Sequence, residues 1–446
     1  MEKIFTIGEQ RLSGEVTLSG SKNATLAILA AAMVASEGQN VLTNVPRISD
    51  ISVMSEMLAG LGVHARFTAK NTLVVDSTNM RSTTAPYELI KKMRASFSVL
   101  GPVLARAGRA SVALPGGCDI GARPVDFHLA GLVAMGAQID VEHGVVEAAA
   151  PNGLHGANIT FERPSVGATT HLMAAAALAK GTTRIDNAAV EPDVVTCAHF
   201  INAMGGRVRG AGTKTIEIEG VATLRGAQFE IDSDRIEAGT FAGAAAITGG
   251  DLYLRGAIED HLRPVSAKLR EMGMSVEFDL GGMRIRPDRP RLNAVRIQAS
   301  PHPGFPTDLQ PIFAAALTLS EGTSVITETV YERRFKYIDE LARMGADTKT
   351  EGNAAIISGV ERLSGAPVAG SDLRATAALV LAGLAAQGES EISGVQFLDR
   401  GYEDFEAKLQ GVGAKIWRAS QTVADSASVT AGGGSSVPVT HPASRA

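Results

Sequence analysis

One arrangement recurs along most of the chain and constrains the fold more than any other feature. An alanine- and leucine-rich helical segment ends at a glycine, a β-branched strand follows, and a second helix ends in a Leu-x-x-Met-Gly-Ala-like turn before another strand. Self-similar segments of this length indicate a fold built from repeated supersecondary units. The first glycines are Gly38, Gly108, Gly181, Gly250, Gly322 and Gly388, and the second are Gly62, Gly136, Gly205, Gly273, Gly345 and Gly413.

Each of these glycines suits the left-handed position just after a helix, with a strand beginning directly beyond it. The helices carry small residues on nearly every side, as in residues 26–32 and 172–178, which indicates burial all round and close packing. Six such units could form one ring or two threefold domains. Because 446 residues exceed one ordinary core, the length favours two domains.

Composition narrows the class of function. A net charge of −5 argues against a sequence-independent nucleic-acid binder. Cys118 and Cys197 form neither a disulfide framework nor a CxxC metal site, and the histidines lack ligand spacing, so we predict no metal. The N-terminus lacks the apolar core of a signal peptide and no apolar run approaches a bilayer span, so we expect a soluble, cytoplasmic protein without a membrane partner.

The most unusual local sequence is at residues 114–127, where Cys118 stands among glycines. Glycines make a mobile loop easy to build, and a cysteine on such a loop is unusual because free cysteines are normally buried. Arg123 is near enough in sequence to help bind an anion beside the sulfur. The stretch is either a lid that carries an acid or nucleophile over an anionic substrate, or a glycine turn with an incidental thiol.

Two further segments place candidate anion sites at helix starts. Ser19 or Ser21 can cap the first helix, which puts Lys22 in a first turn where the helix dipole disfavours a cation. The lysine is then either held by an adjacent anion or solvated away from the dipole. The segment 163–169 sets Pro, Ser and Gly before an alanine helix, which is either a backbone-amide anion site or a plain capped start.

Later segments also allow two interpretations each. Asp308 lies just after two prolines and is either a base held at a fixed angle or an ordinary N-cap. Arginines mix with carboxylates at 331–335, 372–374 and 399–403, either as surface ion pairs or as arginines that converge on a cleft and bind phosphate or carboxylate. We expect Cys197 to be a small residue of a helical core.

Eight motifs in one order resemble the UDP-N-acetylglucosamine enolpyruvyl transferase family: SGSKNA, MRAS, LPGGCDIGARPVD, PSVGAT, DRIEAGTF, HPGFPTDLQ, DLRA and DRGYE. The resemblance covers about residues 1–418 and implies an α/β fold, a two-domain inside-out α/β barrel with six βαβαββ-type repeats, three in each domain. It places the first domain, with the Cys118 lid loop, at 22–229 and the second at 1–21 together with 230–418. The Ser/Thr/Ala/Gly/Pro-rich residues 419–446 are predicted to be a disordered tail.

The resemblance also implies a reaction, in which the enolpyruvyl group of phosphoenolpyruvate moves to the 3′-hydroxyl of UDP-N-acetylglucosamine and phosphate is released. The implied route is addition then elimination through a tetrahedral phospho-ketal, without a metal or a cofactor. The implied reaction is the first committed step of peptidoglycan precursor synthesis. The implied catalytic residues are Cys118 as the thiol acid, Asp308 as the base, and Lys22 and Arg400 as cations. The implied phosphoenolpyruvate site is Lys22, Asn23, Arg123 and Arg400. The implied sugar-nucleotide site is Asn23, Arg94, Arg123, Pro124, Val125, Asp126, Phe127, Arg163, Pro164, Ser165, Val166, Asp308 and Val330.

Three residues depart from the family pattern. Asp119 follows the thiol where smaller uncharged residues are common, Phe127 stands where an aliphatic residue is frequent, and Phe397 replaces a histidine. Two other functions stay open: enolpyruvyl transfer to shikimate phosphate or another nucleotide, and a non-catalytic paralogue that binds the sugar nucleotide. The Gly-Gly-Cys lid argues against the shikimate enzyme, which lacks it. The sequence leaves the oligomeric state open.

Overall fold

Small mixed sheets and buried helices alternate along the chain. The computed structural model describes residues 2–115, 125–331 and 334–420. The strands are β1 Glu2–Ile7, β2 Ser13–Thr17, β3 Asn40–Thr43, β4 His64–Ala69, β5 Thr72–Asp76, β6 Arg109–Ala113, β7 Gln138–Glu142, β8 Val145–Ala149, β9 Asn158–Thr160, β10 Thr182–Asp186, β11 Arg207–Arg209, β12 Thr215–Glu219, β13 Gln228–Glu230, β14 Asp251–Arg255, β15 Met274–Asp279, β16 Gly282–Pro287, β17 Arg296–Ala299, β18 Thr323–Glu328, β19 Asp347–Glu351, β20 Ala354–Ser358, β21 Pro367–Ala369, β22 Glu389–Ser393 and β23 Lys415–Ser420.

The helices are α1 Lys22–Ala31, α2 Ser49–Gly60, α3 Tyr87–Lys92, α4 Leu100–Ala107, α5 Asp126–Ala134, α6 Val166–Ala176, α7 Pro192–Ala203, α8 Arg235–Thr248, α9 Glu259–Glu271, α10 Gln310–Leu317, α11 Tyr337–Arg343, α12 Leu373–Ala385, α13 Val395–Leu398 and α14 Phe405–Gly411. Short 3-10 helices cover Ala32–Val34, Arg94–Val99 and Thr307–Leu309. No helix among the described residues is long and apolar enough to cross a membrane.

The sheets of the described residues repeat one strand order. Five have four strands, in the orders β13-β3-β5-β4, β9-β10-β12-β11, β2-β14-β16-β15, β17-β18-β20-β19 and β21-β22-β1-β23. In each of these the first pair is parallel and the next two are antiparallel, for example β13 with β3, then β3 with β5, then β5 with β4. The sixth, β6-β8-β7, has three strands, and a parallel bridge of Thr84 with Ser111 stands at the place of the fourth. The repeat predicted from the glycines is thus a repeat of sheet topology.

The chain's first two strands pair with distant segments. Strand β1 lies between β22 and β23, with Ile4 opposite Ile392 and Phe5 opposite Trp417. Strand β2 runs parallel to β14. Ala419 and Ser420 belong to β23 and pair with β1, so the predicted start of the tail at 419 is wrong by two residues, because β1 supplies backbone partners there. The rest of that predicted tail, residues 421–446, lies outside the described residues.

Two hydrophobic clusters form the interior. One contains buried side chains from Ala24 to Ile231, and the other contains Ile4 to Leu18 together with Ile236 to Ile416. Helices buried on all sides run through both, as predicted; in α8, every residue from Ile236 to Ile247 is buried. Cys197 is a fully buried residue of α7, which confirms its assignment to a helical core, and burial raises the pKa of its thiol to about 12.

The repeated glycines adopt the left-handed backbone at eleven of the twelve predicted positions. The exception is Gly250, because its neighbour Gly249 takes that role at the end of α8 with φ 62°. Gly108 directly follows α4 as expected, whereas Gly388 stands three residues beyond α12. There the chain takes an extended step and forms a short bridge between Ser364 and Gln387 before it turns, so helix end and glycine are separated.

Candidate functional site

A buried carboxylate joins two cations that the sequence places 378 residues apart. The Asp50 carboxylate accepts from Lys22 Nζ at 2.8 Å and from Arg400 Nε at 2.9 Å. The side chains of Lys22 and Asp50 are 10% and 6% exposed, so the solvated interpretation of Lys22 is wrong. Burial lowers the pKa of Lys22, Asp50 opposes that effect, and the nearby charges of Arg374 and Arg400 add to the lowering.

Helix starts position this group. The Ser21 side chain caps α1 by accepting from Ala24 N–H at 3.2 Å, and Asp50 lies in the first turn of α2. The Asp234 carboxylate accepts from the Lys22 backbone N–H at 3.1 Å while it caps α8. The start of α1 in one hydrophobic cluster is thereby tied to the start of α8 in the other.

A second carboxylate, Asp308, lies between two buried arginines. Arg334 Nη2 is 2.8 Å from its Oδ1, and Arg374 donates from Nε and Nη2 to its Oδ2 at 3.2 Å. The arginine side chains are 4% and 2% exposed, whereas that of Asp308 is 27% exposed. Asp308 lies inside the 3-10 helix Thr307–Leu309, whose N-cap residue is Pro306, so its plain capping interpretation is wrong.

Each arginine has a second set of partners. Arg334 also donates to the Thr307 hydroxyl at 2.9 Å, and that hydroxyl donates to Glu328 at 2.7 Å. The Arg374 guanidinium lies 5.1 Å from the ring centre of Tyr402, whose hydroxyl is 2.7 Å from the Thr240 hydroxyl. Burial alone would lower the pKa of Arg374, but Tyr402 and Asp308 raise it above its ordinary value. Both guanidinium groups are therefore charged and are held in one orientation by these contacts.

A third group lies at the start of α6. Phe127 stacks on Phe161 with ring centres 5.5 Å apart, and the Arg163 guanidinium lies 5.8 Å from the Phe127 ring. Ser165 caps α6 by accepting from Ala168 N–H at 3.3 Å. The structure thus brings the predicted residues Phe127 and Arg163 together, with Phe161 packed against the other ring of this group, Phe127.

The remaining predicted residues are distributed around these groups. Asn23, Asp126 and Pro164 are exposed, and Val125, Val166 and Val330 are half-buried. Arg94 begins the 3-10 helix Arg94–Val99 and is close enough for its charge to lower the pKa of His128. Val330 N–H donates to Glu328 at 2.7 Å. Cys118, Asp119, Arg123 and Pro124 lie outside the described residues, so the lid interpretation of that loop stays a prediction.

Sequence reasoning missed three members of the site: Asp50, Arg334 and Arg374. Arg334 and Arg374 belong to the mixed arginine and carboxylate runs that the sequence did flag, whereas Asp50 lies in no flagged segment. The signal for Asp50 was the unfavourable position of Lys22, which requires a nearby anion without saying which residue supplies it. Phe397 is half-buried in α13, next to the turn that carries Arg400.

Together, the two ion-pair groups contain four cations and two carboxylates: Lys22, Arg334, Arg374 and Arg400 with Asp50 and Asp308. Such a set suits a small ligand that carries more than one negative charge. Within the described residues, no cluster of three or more His, Cys, Asp or Glu side chains could hold a metal ion.

The chain is similar to known proteins that transfer a carboxyvinyl group. The model of the family described as EPSP synthase (3-phosphoshikimate 1-carboxyvinyltransferase) matches residues 7–409. The UDP-N-acetylglucosamine 1-carboxyvinyltransferase of Trichlorobacter lovleyi is 51% identical over 422 residues, which are 94% of this chain and 100% of the relative. A protein of the same description from Gloeobacter violaceus is 52% identical over 412 residues, covering 92% and 89% of the two chains.

Solved structures support the fold. The enolpyruvyl transferase NikO from Streptomyces tendae superposes with a TM-score of 0.84 at 26% identity, covering 94% of this chain and 98% of the other. EPSP synthase from Acinetobacter baumannii gives a TM-score of 0.74 at 21% identity, covering 94% and 100%, and this likeness concerns the fold alone. The predicted enolpyruvyl transferase fold is therefore confirmed. The chain belongs to the enolpyruvyl transferases and, among them, to the UDP-N-acetylglucosamine 1-carboxyvinyltransferase family.

Proposed function

We propose that this chain transfers the enolpyruvyl group of phosphoenolpyruvate to the 3′-hydroxyl of UDP-N-acetylglucosamine and releases phosphate, the first committed step of peptidoglycan precursor synthesis. The observation that carries the proposal is the pair of ion-pair groups around Asp50 and Asp308, with four cations held in place. Phosphoenolpyruvate carries a phosphate and a carboxylate, so it needs such a set. The names of relatives about half identical to this chain support the choice of acceptor.

Lys22 and Arg400 would bind the donor anion together with Arg123, whose role rests on the resemblance. In the ligand-free protein both cations already share Asp50. Because a carboxylate and a phosphate compete for the same N–H groups, the donor binds by exchange with Asp50. Asn23, exposed in the first turn of α1, stays in our assignment as a neighbour of the donor and the sugar.

Asp308 would take the proton of the acceptor hydroxyl. Two guanidiniums hold its charge, which makes it a weak base as long as both are bound. When the donor's anionic groups compete for Arg334 or Arg374, each hydrogen bond that leaves Asp308 increases its affinity for a proton. The base is thus strengthened once the donor is present.

The reaction then balances in two steps. In addition, the acceptor oxygen attacks C2 of the donor as Asp308 takes its proton, and the Cys118 thiol gives a proton to C3, which yields the tetrahedral phospho-ketal. In elimination, C3 returns a proton to the thiolate, the bond from C2 to the phosphate oxygen breaks, and phosphate leaves with the proton that Asp308 took from the acceptor hydroxyl. An ordinary thiol has a pKa of about 8.5 and is mostly protonated at neutral pH, so it can serve as this acid.

The sugar nucleotide would lie against the start of α6 and the start of α5. Arg94, Phe127, Arg163, Ser165 and Val166 are our candidates there, and Arg123 to Asp126 would complete the contact. We also propose that the two hydrophobic clusters mark the two predicted domains, 22–229 and 1–21 with 230–418. We place the boundary after Ile231, because Ile231 belongs to the first cluster and β13 pairs with β3, and the end at Ser420 in β23. A cytoplasmic location is part of the proposal, since both substrates are soluble anionic metabolites.

The test is release of phosphate from phosphoenolpyruvate with UDP-N-acetylglucosamine as acceptor. Shikimate phosphate and other UDP-sugars serve as alternative acceptors, and omission of the acceptor gives the background. We expect acceptor-dependent release with UDP-N-acetylglucosamine. Release only with shikimate phosphate or another nucleotide would refute the proposal, and binding of both substrates without release would favour a non-catalytic paralogue.

Cys118→Ala tests the thiol. Because alanine cannot give a proton to C3, we expect turnover to fall at least about 100-fold, in the range typical of general acid catalysis. Binding of UDP-N-acetylglucosamine, followed by calorimetry, should stay within about threefold of the unchanged protein. Cys197→Ala is the matched control, since that thiol is fully buried in α7. Unchanged turnover in Cys118→Ala would remove the thiol from the mechanism.

A further inference from the structure

Two buried histidines pair between α5 and α6, beside the proposed nucleotide site. His128 Nδ1 and His171 Nδ1 are 3.1 Å apart. The residues are 8% and 1% exposed. Phe97 packs against both rings, with ring centres 5.6 and 6.3 Å away. Neither histidine has a role in the function proposed above.

The hydrogen bonds of this pair determine where each proton lies. The Gly101 backbone N–H donates to His171 Nε2 at 2.7 Å, so that nitrogen is an acceptor. A neutral imidazole carries one N–H and one bare nitrogen, so the proton of His171 is on Nδ1. That N–H donates to His128 Nδ1, which is therefore also an acceptor, and the proton of His128 is left on Nε2.

Both rings stay neutral. Burial and the charge of Arg94 lower the pKa of His128 to about 3, and burial together with His128 holds the pKa of His171 well below its ordinary value. A second proton on His128 would lie on Nδ1 and oppose the His171 N–H across the 3.1 Å contact. A second proton on His171 would lie on Nε2 and oppose the Gly101 N–H across the 2.7 Å contact.

The free N–H of His128 faces the start of α6. A side chain built at Gly167 would place its Cβ 3.5 Å from His128 Nε2, so this nitrogen lies beside the second residue of the helix. Among the described residues His128 Nε2 has no hydrogen-bond partner, although the residue is more than nine-tenths buried. The backbone N–H groups in the first turn of a helix, and its dipole, favour an anion at the same place.

We propose that His128 Nε2–H donates to the diphosphate of the sugar nucleotide, and that His171 is a positioning residue that fixes the tautomer of His128 for this contact. The proposal rests on the proposed function and adds a substrate contact to it. It assigns the diphosphate to the corner formed by His128 and the start of α6, with the charge of Arg94 nearby. If His128 took the other tautomer, its bare Nε2 would repel the diphosphate oxygens.

Two pairs of amide substitutions separate the roles of the nitrogens. An asparagine amide reaches about as far as Nδ1 of histidine, and a glutamine amide about as far as Nε2. His128→Gln therefore keeps a donor at the site, whereas His128→Asn keeps only the bond to His171. His171→Asn keeps the donor to His128, whereas His171→Gln keeps only the acceptor for Gly101 N–H.

We expect His128→Asn and His171→Gln to raise KM for UDP-N-acetylglucosamine by roughly 10-fold to 100-fold, because one hydrogen bond to a charged group is lost. KM for phosphoenolpyruvate should stay within about twofold in all four variants. His128→Gln and His171→Asn should stay within about fivefold of the unchanged protein for both substrates. A purely structural role would instead lower melting temperature in all four variants without separating the two KM values.

Binding of UDP alone, measured by calorimetry, keeps this test distinct from a failure of the proposed function. If the unchanged protein shows no turnover with UDP-N-acetylglucosamine, the function fails. If turnover is normal and His128→Asn binds UDP as tightly as the unchanged protein, the contact proposed here is wrong. Imidazole ¹⁵N spectra should show the Nε2–H tautomer of His128 with no titration between about pH 5.5 and 8, and an Nδ1–H tautomer would overturn the proposal.

Discussion

Replacement of Asp50 by asparagine tests the electrostatic design of the site. Asp50→Asn keeps the size of the side chain but removes the charge that both Lys22 and Arg400 bind. Loss of one partner from a buried ion pair costs roughly 3–5 kcal/mol, because the other charge is left uncompensated. Since Arg400 is 39% exposed, solvent screens its share, and we take about 3 kcal/mol, the low end of that range.

This magnitude gives two measurable results. For a domain of about 200 residues, about 3 kcal/mol lowers Tm by roughly 6–12 °C. Inorganic phosphate should restore part of that loss, because Lys22 and Arg400 then bind it in place of the missing carboxylate. The unchanged protein should gain less from phosphate, since Asp50 occupies both cations.

The pH profile gives a third result. Asp50 raises the pKa of Lys22 against the larger effect of burial, so its loss lowers that pKa further. A reaction that needs protonated Lys22 is lost as pH rises through this pKa. The alkaline limb of kcat/KM for phosphoenolpyruvate should therefore move to lower pH in Asp50→Asn.

Asp399→Asn is the matched control. Asp399 directly precedes Arg400 in the chain, and its carboxylate accepts two hydrogen bonds from Arg418 at 2.7 and 2.9 Å. Unlike Asp50, its side chain is 43% exposed. We expect a change of at most about 1 kcal/mol there. Equal effects of the two substitutions on Tm and on the phosphate response would refute the reasoning, as would an Asp50→Asn protein whose alkaline limb stays in place.

Two further predictions follow from the same geometry. Arg374→Lys should lower kcat/KM for phosphoenolpyruvate by about 100-fold, because an ammonium cannot both hold Asp308 and lie over Tyr402. The control is Arg270→Lys, which alters a hydrogen bond to the Val276 backbone and should change kcat/KM less than twofold. Acid should destabilise the fold through His128 and His171, because their pKa values in the folded protein are below the unfolded value of about 6.5. Below about pH 6.5 the unfolded chain binds more protons than the folded one. The free energy of unfolding therefore keeps its full value above that pH and falls by up to about 1.4 kcal/mol per pH unit for each histidine below it. Urea unfolding between pH 7 and 5 measures this slope, and exposed His143→Asn should leave it unchanged.

The fold was largely predictable because its main constraint is local. A helix that ends in a left-handed residue favours glycine whatever surrounds it, so Gly62, Gly136 and Gly205 reveal the repeat without any knowledge of packing. Gly250 was misassigned because Gly249 is adjacent and both satisfy the same pattern. The sequence did not predict which strands of different units pair, because the partner of β1 lies nearly 390 residues away.

The site was predictable only where a residue conflicted with its own surroundings. Lys22 stands at a helix start that disfavours a cation, and this conflict correctly indicated an anion beside it. That the anion is Asp50 depends on how α1 packs against α2, which no local rule contains. The pairing of His128 with His171 is hidden for the same reason, because each histidine alone is an unremarkable helical residue.

The two ion-pair groups share a design that bears on how the substrates bind. In each, a carboxylate already holds the cations that an anionic donor would need. The buried cations Lys22, Arg334 and Arg374 therefore lose water during folding and not during binding. The two groups differ in one respect. Asp308 and its two arginines all lie in chain segments of the same hydrophobic cluster, whereas Asp50 lies in a segment of the other cluster and binds Arg400 of the first. Exchange of Asp308 for a ligand therefore leaves the link between the clusters intact. If the donor binds Lys22 and Arg400 as proposed, its exchange with Asp50 replaces a direct bond between the clusters with one through the donor. We therefore expect occupation of this site to be the step that couples donor binding to the relative position of the two halves.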